Sequence, residues 1–419
     1  MNFDKNVYPT TSLARLATGV CAAALMLCAG AALAASKDTK SAVSSAQVAE
    51  ANRPPVLPAE EADTAVLDAA GPHRFLLVDP YMYSGAHVLE GDDKELAEKG
   101  LVPSAKNGAF AMSADGGKIY IAETYWSRGD RGAREDLLTI YDGKTLSLEK
   151  EIVLPSRLLV VPKLGQIGTN LDGSLAYVYS MVPASQVHVI DLKDDKILSS
   201  VDIPGCALAY PFGARSFATI CGDGTLGVAS VGPAGESTPK FTKPFFDADN
   251  DPLFENSVVD RATGEGWFLS FTGKVYPANL SGAAPMIDKP WSLNVAAGLP
   301  AAGTGAQELA WRPGGGQLMA LHRKTKHLFV LMHAGNYWTH KEDGAEVWVF
   351  DADKRSLIKR IKLAGPTKGI AVSQDDAPLL YAWADAMGPG GGVSVMKVET
   401  GEVMAQRRVS GSIGLVPGL

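Results

Sequence analysis

The chain has 419 residues, 46% of them apolar and 20% charged. That is enough for one large domain or two ordinary ones, and too apolar for global disorder. The net charge of −7 gives no reason to propose nucleic acid as a partner, and 44 glycines with 25 prolines suit a fold of many tight turns.

The first 34 residues read as a targeting segment. Lys5 and Arg15 supply a basic start, Leu16 to Leu33 is apolar, and Ala32-Leu33-Ala34 is a small-residue cleavage site, so cleavage is expected before Ala35. Met26 and Leu27 before Cys28 are too bulky for a lipoprotein signal, which favours soluble export. A retained anchor is the alternative. No later stretch has the roughly 20 uncharged apolar residues that a membrane span requires. Residues 35–65 are small, polar and charged around Pro54-Pro55 and are expected to form a flexible, disordered arm.

From Val66 the pattern changes. RFLLVD, KIYIAE, LLTIYD, LAYVYS, VHVIDL, WFLSF, HLFVLMH, EVWVFD and PLLYAW read as strands between Gly-, Asp- and Pro-rich turns. Helical patterns are scarce; Asp92 to Lys99 is the exception, with one or two turns expected. A module made of an apolar strand closed by Asp, a short turn and a second strand recurs at 139–155, 188–205 and 348–365, with a weaker copy at 395–411. Asp142 and Asp191 lie 49 residues apart, and Asp351 follows Asp191 by 160, close to three such periods. A second element, a polar turn leading into a strand, appears in AMSADGGKIYIAE, TNLDGSLAYVYS and AVSQDDAPLLYAW. A blade of about 50 residues repeated over 66–419 implies an all-β, seven-bladed β-propeller. A pair of β-sandwiches is the rival, which a single period running end to end disfavours.

Four stretches are candidates for function. Cys206 and Cys221 are the only cysteines after the leader, and two cysteines in an oxidising compartment favour a disulfide across a hairpin, with free buried thiols as the alternative. His322, His327, His333 and His340 lie close in sequence, but their spacing matches no zinc pattern, so histidines hydrogen-bonded at blade turns are the better reading. Asp79 to Tyr83 follows a strand, where Met82 and Tyr83 could line a pocket or simply pack between blades. The loop carrying Trp126, Arg128, Arg131 and Arg134 is either solvated or a contact surface for another protein. No nucleophile elbow, phosphate loop or HExxH motif is found, so a scaffold or binding subunit is favoured over a self-sufficient enzyme.

Several of these segments resemble the heavy (large) subunit of the quinoprotein amine dehydrogenases. They are TYWSRGDRGAREDLLTIYD, the stretch from Cys206 through RSFATICGDGTL, NDPLF, FTGKVYPANLSG, PWSL, LHRKTKHLFVLMH, THKEDGAEVWVFD and VSQDDAPLLYA. The resemblance implies a seven-bladed periplasmic propeller in an α2β2 assembly with a small (light) subunit. That partner would carry tryptophan tryptophylquinone, while this chain would hold no cofactor and no metal. It implies oxidation of a primary amine to aldehyde plus ammonia, with electrons passed to a blue copper protein (amicyanin or azurin type) or a cytochrome. Cys206 and Cys221 match the family's heavy-chain disulfide, and Tyr83, with Met82 beside it, falls near the family's channel aromatic. No residue here is expected to be catalytic, and the seven tryptophans are expected to be structural. Methylamine-type and aromatic-amine-type matches are mixed. A stand-alone periplasmic propeller that binds or assembles without enzymatic activity is the alternative.

Overall fold

The computed structural model describes residues 66–79, 85–159, 161–282, 284–385, 387–388, 390–409 and 414–417. The leader, the arm and the Pro80 to Ser84 segment therefore lie outside the described residues, and with them Met82 and Tyr83.

Strands hydrogen-bond in antiparallel order into seven blades. Blade I is Arg74–Asp79, Gly85–Glu90 and Gly100–Pro103, completed on its inner edge by the C-terminal Gly414–Pro417. Blade II runs Ala109–Met112, Lys118–Trp126, Arg134–Asp142 and Leu148–Val153. Blade III has Ile167–Thr169 and Arg157–Leu158 against Leu175–Val182, then Gln186–Asp191 and Lys196–Asp202. Blade IV is Cys206–Phe212, Ser216–Cys221, Leu226–Ser230 and Lys240–Phe241. In blade V, Val258–Val259, Glu265–Leu269 and Lys274–Asn279 are edged by Met286–Ile287 and Trp291–Ser292. Blade VI places Ala310–Pro313 and Met319–His322 against His327–Gly335, followed by Gly344–Asp351. Ser356–Val372 is the outer strand of blade VI in its first half and the inner strand of blade VII in its second. Leu379–Ala384, Gly392–Lys397 and Val403–Arg407 complete blade VII.

The innermost strands touch in sequence, II to III and on to VII, and blade VII then meets the C-terminal strand, which meets blade II. This is a closed ring. Five apolar clusters lie at its joints, and every neighbouring pair of blades shares one. Burial on both faces explains why the second strands read as unbroken apolar runs: every residue of RFLLVD and LLYAWA is buried. The outer strand LEKEIV is almost wholly exposed. At the closing joint, Phe75 of blade I meets Tyr381 of blade VII with ring centroids 4.6 Å apart. The Tyr381 hydroxyl donates to the His73 carbonyl at 3.2 Å, and Arg407 Nη1 donates to the Leu96 carbonyl at 2.8 Å.

The repeated sequence signatures become repeated turns. Asp142, Asp191 and Asp351 each end the third strand of a blade, and each turns its carboxylate back onto amides of the following hairpin, those of Lys144, Lys193 and Lys354 among them. Ser113 and Ser373 each donate to an Asp two residues on and accept the amide of the next strand's first residue. Asp and Ser side chains compete well for backbone amides, which is why they mark turns.

The helix expected over Asp92 to Lys99 is not there. The Asp93 carboxylate accepts the amides of Glu95 and Ala97 and pairs with Lys99 at 2.8 Å. Leu96 then takes a left-handed φ of 49° and is fully buried in the joint between blades I and VII. A side chain drawn into the core ends the turn before a helix can propagate. Among the described residues the α-helix is the single turn Leu293–Ala296, started by the Ser292 hydroxyl, and no helix is long and apolar enough to cross a membrane.

Candidate functional site

Two cavities lie on the ring axis. The larger, about 500 Å³, opens where the inner strands begin, and the smaller, about 260 Å³, lies where they end. They meet at a waist formed by Phe110, Leu164 and Gln317, which line both. Because neighbouring strands are antiparallel, the loops joining second to third strands return to the larger mouth. The Asp- and Ser-sealed turns all fall at the opposite end. We call these the mouth end and the turn end.

The mouth end is aromatic. Phe254, Phe271 and Trp383 line the larger cavity with Val161 and Leu253, and Val78 lies at its edge just before the segment that contains Met82 and Tyr83. The blade VI loop adds an aromatic cluster in which Trp338 is exposed, His340 half-buried and Tyr337 buried. His340 stacks on Phe271 with ring centroids 4.1 Å apart, Trp338 stands edge-on to Phe271, and Tyr337 packs against Trp338 at 4.5 Å. Tyr337 donates to the Asn250 carbonyl and so ties this loop to blade V. Trp338 holds a left-handed φ of 66° and is 56% exposed. Tyr125, Met181, Val182, Leu309 and Met387 are further exposed apolar residues on loops or strand ends of the mouth end, Leu309 at 73% and Met387 at 91%.

Charges rim the mouth in paired form. Lys163 bridges to Glu255 between blades III and V, and Lys368 pairs with Asp385 at 3.2 Å. Burial, opposed by Lys368, raises the Asp343 carboxyl above its usual range. Burial, reinforced by Lys341, lowers the His340 imidazole.

The blade II loop expected as a contact surface also stands at the mouth end. Its four named residues divide. Arg134 pairs with Asp136 and lies over the Trp126 ring, 5.7 Å from its centroid. Asp136 also accepts from Thr124 at 2.7 Å and from the Leu158 amide at 3.1 Å, so Arg134 belongs to an internal network. Arg128 and Arg131 are exposed, on a loop closed by the Ser127 amide donating to the Ala133 carbonyl.

The histidines scatter. His322 bonds Thr325 and the Asp375 carbonyl at the turn end, and His333 bonds Thr339 at 2.7 Å. Burial holds His333 below its usual pKa. Cys206 and Cys221 form a disulfide directly across the first hairpin of blade IV. Six of the tryptophans are at least partly buried; Trp338 is the exposed one. The signal for Trp338 was present in NYWTH, an aromatic pair between two strands, but the sequence alone does not say which of the two rings is exposed.

Fold and mouth together define a class: a closed β-propeller with a hollow axis and one apolar, aromatic-rimmed face. Comparison with known proteins narrows it. A model of the methylamine dehydrogenase heavy chain (MADH) family matches residues 72–406, and the chain belongs to that family. It is 29% identical to the methylamine dehydrogenase heavy chain of Methylophilus methylotrophus over 329 residues, covering 77% of this chain and 78% of that one. It is 29% identical to the heavy chain of Methylorubrum extorquens over 380 residues, covering 87% and 86%. A solved structure of a functionally unknown protein from Desulfotomaculum acetoxidans shares the fold, with a TM-score of 0.53 at 11% identity over 83% of this chain and all of that one.

Proposed function

We propose that this chain is the non-catalytic heavy subunit of a periplasmic amine dehydrogenase and that its mouth end receives the light subunit. The observation that carries the reading is the exposed aromatic loop at the axial mouth, in a chain of the heavy-chain family. Exposed apolar and aromatic side chains grouped around a cavity are what a protein partner buries.

The partner's tryptophan tryptophylquinone, when present, supplies the two-electron chemistry that turns a primary amine into aldehyde and ammonia. This chain's residues bind, orient and exclude water. Phe254, Phe271 and Trp383 give the mouth low-dielectric walls, which a docked partner would close. Trp338 serves as the anchor, backed by the buried Tyr337, and Arg128 and Arg131 serve as a cationic flank, with Met82 and Tyr83 as channel wall. Two copies of each chain make the assembly, and a blue copper protein or cytochrome takes the electrons. Residues 1–34 act as the export signal, 35–65 as an arm and 66–419 as the propeller. The named relatives make methylamine the first amine to assay.

Co-expression with a short, cysteine-rich exported partner tests the reading. Amine-dependent dye reduction is expected only when both chains are present. A stable chain that neither binds such a partner nor supports dye reduction would point to the stand-alone propeller. Tyr83→Ala is expected to change the preference between methylamine and an aromatic amine while leaving the complex intact.

A further inference from the structure

The smaller axial cavity, at the turn end, has a different character. Its walls are apolar, with Met112, Ile167, Val259 and Met319 among them, yet two arginines, Arg261 and Arg323, face into it. The arginine ion pairs among the described residues use Arg74, Arg134, Arg355 and Arg407, which leaves this pair outside all of them. Arg261 Nη1 is buried without a hydrogen-bond partner. Its backbone is fixed, because the Gly213 amide of blade IV donates to the Arg261 carbonyl at 2.8 Å. Arg323 is aimed by Gln374. The Gln374 Oε1 accepts from the Arg323 amide at 3.1 Å and from Nε at 3.3 Å, while its Nε2 donates to the Leu321 carbonyl at 2.8 Å.

The carboxylates at this end are committed elsewhere. Asp115 and Asp172 seal their own turns, Asp260 accepts the Ala262 amide, Asp375 holds Ser373 and faces His73, and Asp376 pairs with Lys324. Burial and the neighbouring Arg323 together lower Arg261 to about 10, still charged at neutral pH. A half-buried guanidinium whose Nη1 is shut off from water without a counter-charge is costly, and its planar fork matches carboxylate, phosphate or sulfate oxygens.

We propose that Arg261 and Arg323 form a binding site for a small oxyanion inside the turn end of the axial channel. The cavity of about 260 Å³ is sized for a free anion or a short carboxylate. The site is independent of the light-subunit reading, since it lies past the waist from the mouth.

Calorimetric titration of the purified chain with inorganic phosphate, sulfate and acetate, at ionic strength fixed with chloride, tests this. Saturable binding of at least one anion is expected, with a rise in Tm that follows its concentration. Arg261→Gln and Arg323→Gln should each weaken that binding by about 10- to 100-fold, the scale of lost charge-assisted hydrogen bonds. Lys324→Gln, which removes an exposed charge paired outside the cavity, should leave it unchanged. The phosphate and acetate arms separate tetrahedral anions from carboxylates. If Arg261→Gln does not fold, Arg323→Gln decides. No saturable binding, or wild-type binding in the arginine variants, would overturn the proposal.

Discussion

The two ends of the propeller are made from the same strands yet differ in kind. At the turn end, Asp142, Asp191 and Asp351 fold back onto their own hairpins, and Ser113 and Ser373 seal theirs in the same way. These connections satisfy themselves and repeat. At the mouth end the loops are unequal in length and leave Tyr125, Met181, Leu309, Trp338 and Met387 exposed. Repetition marks what the ring needs in order to close. Irregular apolar loops mark what it offers to something else.

The blade IV bridge gives the largest expected effect. Replacing both Cys206 and Cys221 by Ser reopens a hairpin with a sequence separation of 15. It should cost on the order of 3 kcal/mol in denaturant unfolding. Partner affinity should be unchanged, because the bridge is buried structure rather than contact surface. A changed affinity with unchanged stability would break the division drawn here.

His188 sits in the core of blade III, fully buried between the Ser180 and Ser200 hydroxyls at 3.0 and 2.8 Å. Burial pushes its pKa down to about 4. Above about pH 6.5 the imidazole is neutral in both folded and unfolded chains. As pH falls the unfolded chain takes up the proton first, so stability is lost from about 6.5 downwards through about 4, by at most on the order of 3 kcal/mol. His188→Gln should flatten urea-derived stability across that window; an unchanged slope would remove His188 as the cause.

Trp338→Ala should weaken light-subunit binding by about 2 kcal/mol, roughly 30-fold, while leaving the Tm of the separate chain nearly unchanged. A fall in Tm with unaltered binding would make Trp338 a packing residue and erase the contrast between the ends. The smallest effect belongs to the turn end. Asp191→Ala removes an acceptor for the Lys193 and Asp194 amides at 3.0 and 3.1 Å, and about 1 kcal/mol of stability should go with no loss of partner affinity.

How much of this was legible in the sequence follows the same line. Strands buried on both faces announce themselves as apolar runs, and self-sealing turns announce themselves as Asp and Ser at fixed offsets. The ring, its period and the Cys206 to Cys221 hairpin could therefore be read before any coordinates. Leu96 could not: its left-handed turn is set by burial against blade VII, some 300 residues away in sequence. Nor could the division of the blade II loop, where Arg134 is claimed by Asp136 while Arg128 and Arg131 stay exposed. The Arg261 and Arg323 cavity draws on separate blades and has no local signature.

The central claim is that the mouth end, and not the turn end, receives the partner. Hydrogen exchange of the chain alone and in complex with the light subunit tests it most directly. The expected result is new protection over the loops 127–133 and 336–343, with none over the turns 113–117, 143–147 and 192–195. Protection confined to the turn end, or spread equally over both, would contradict it.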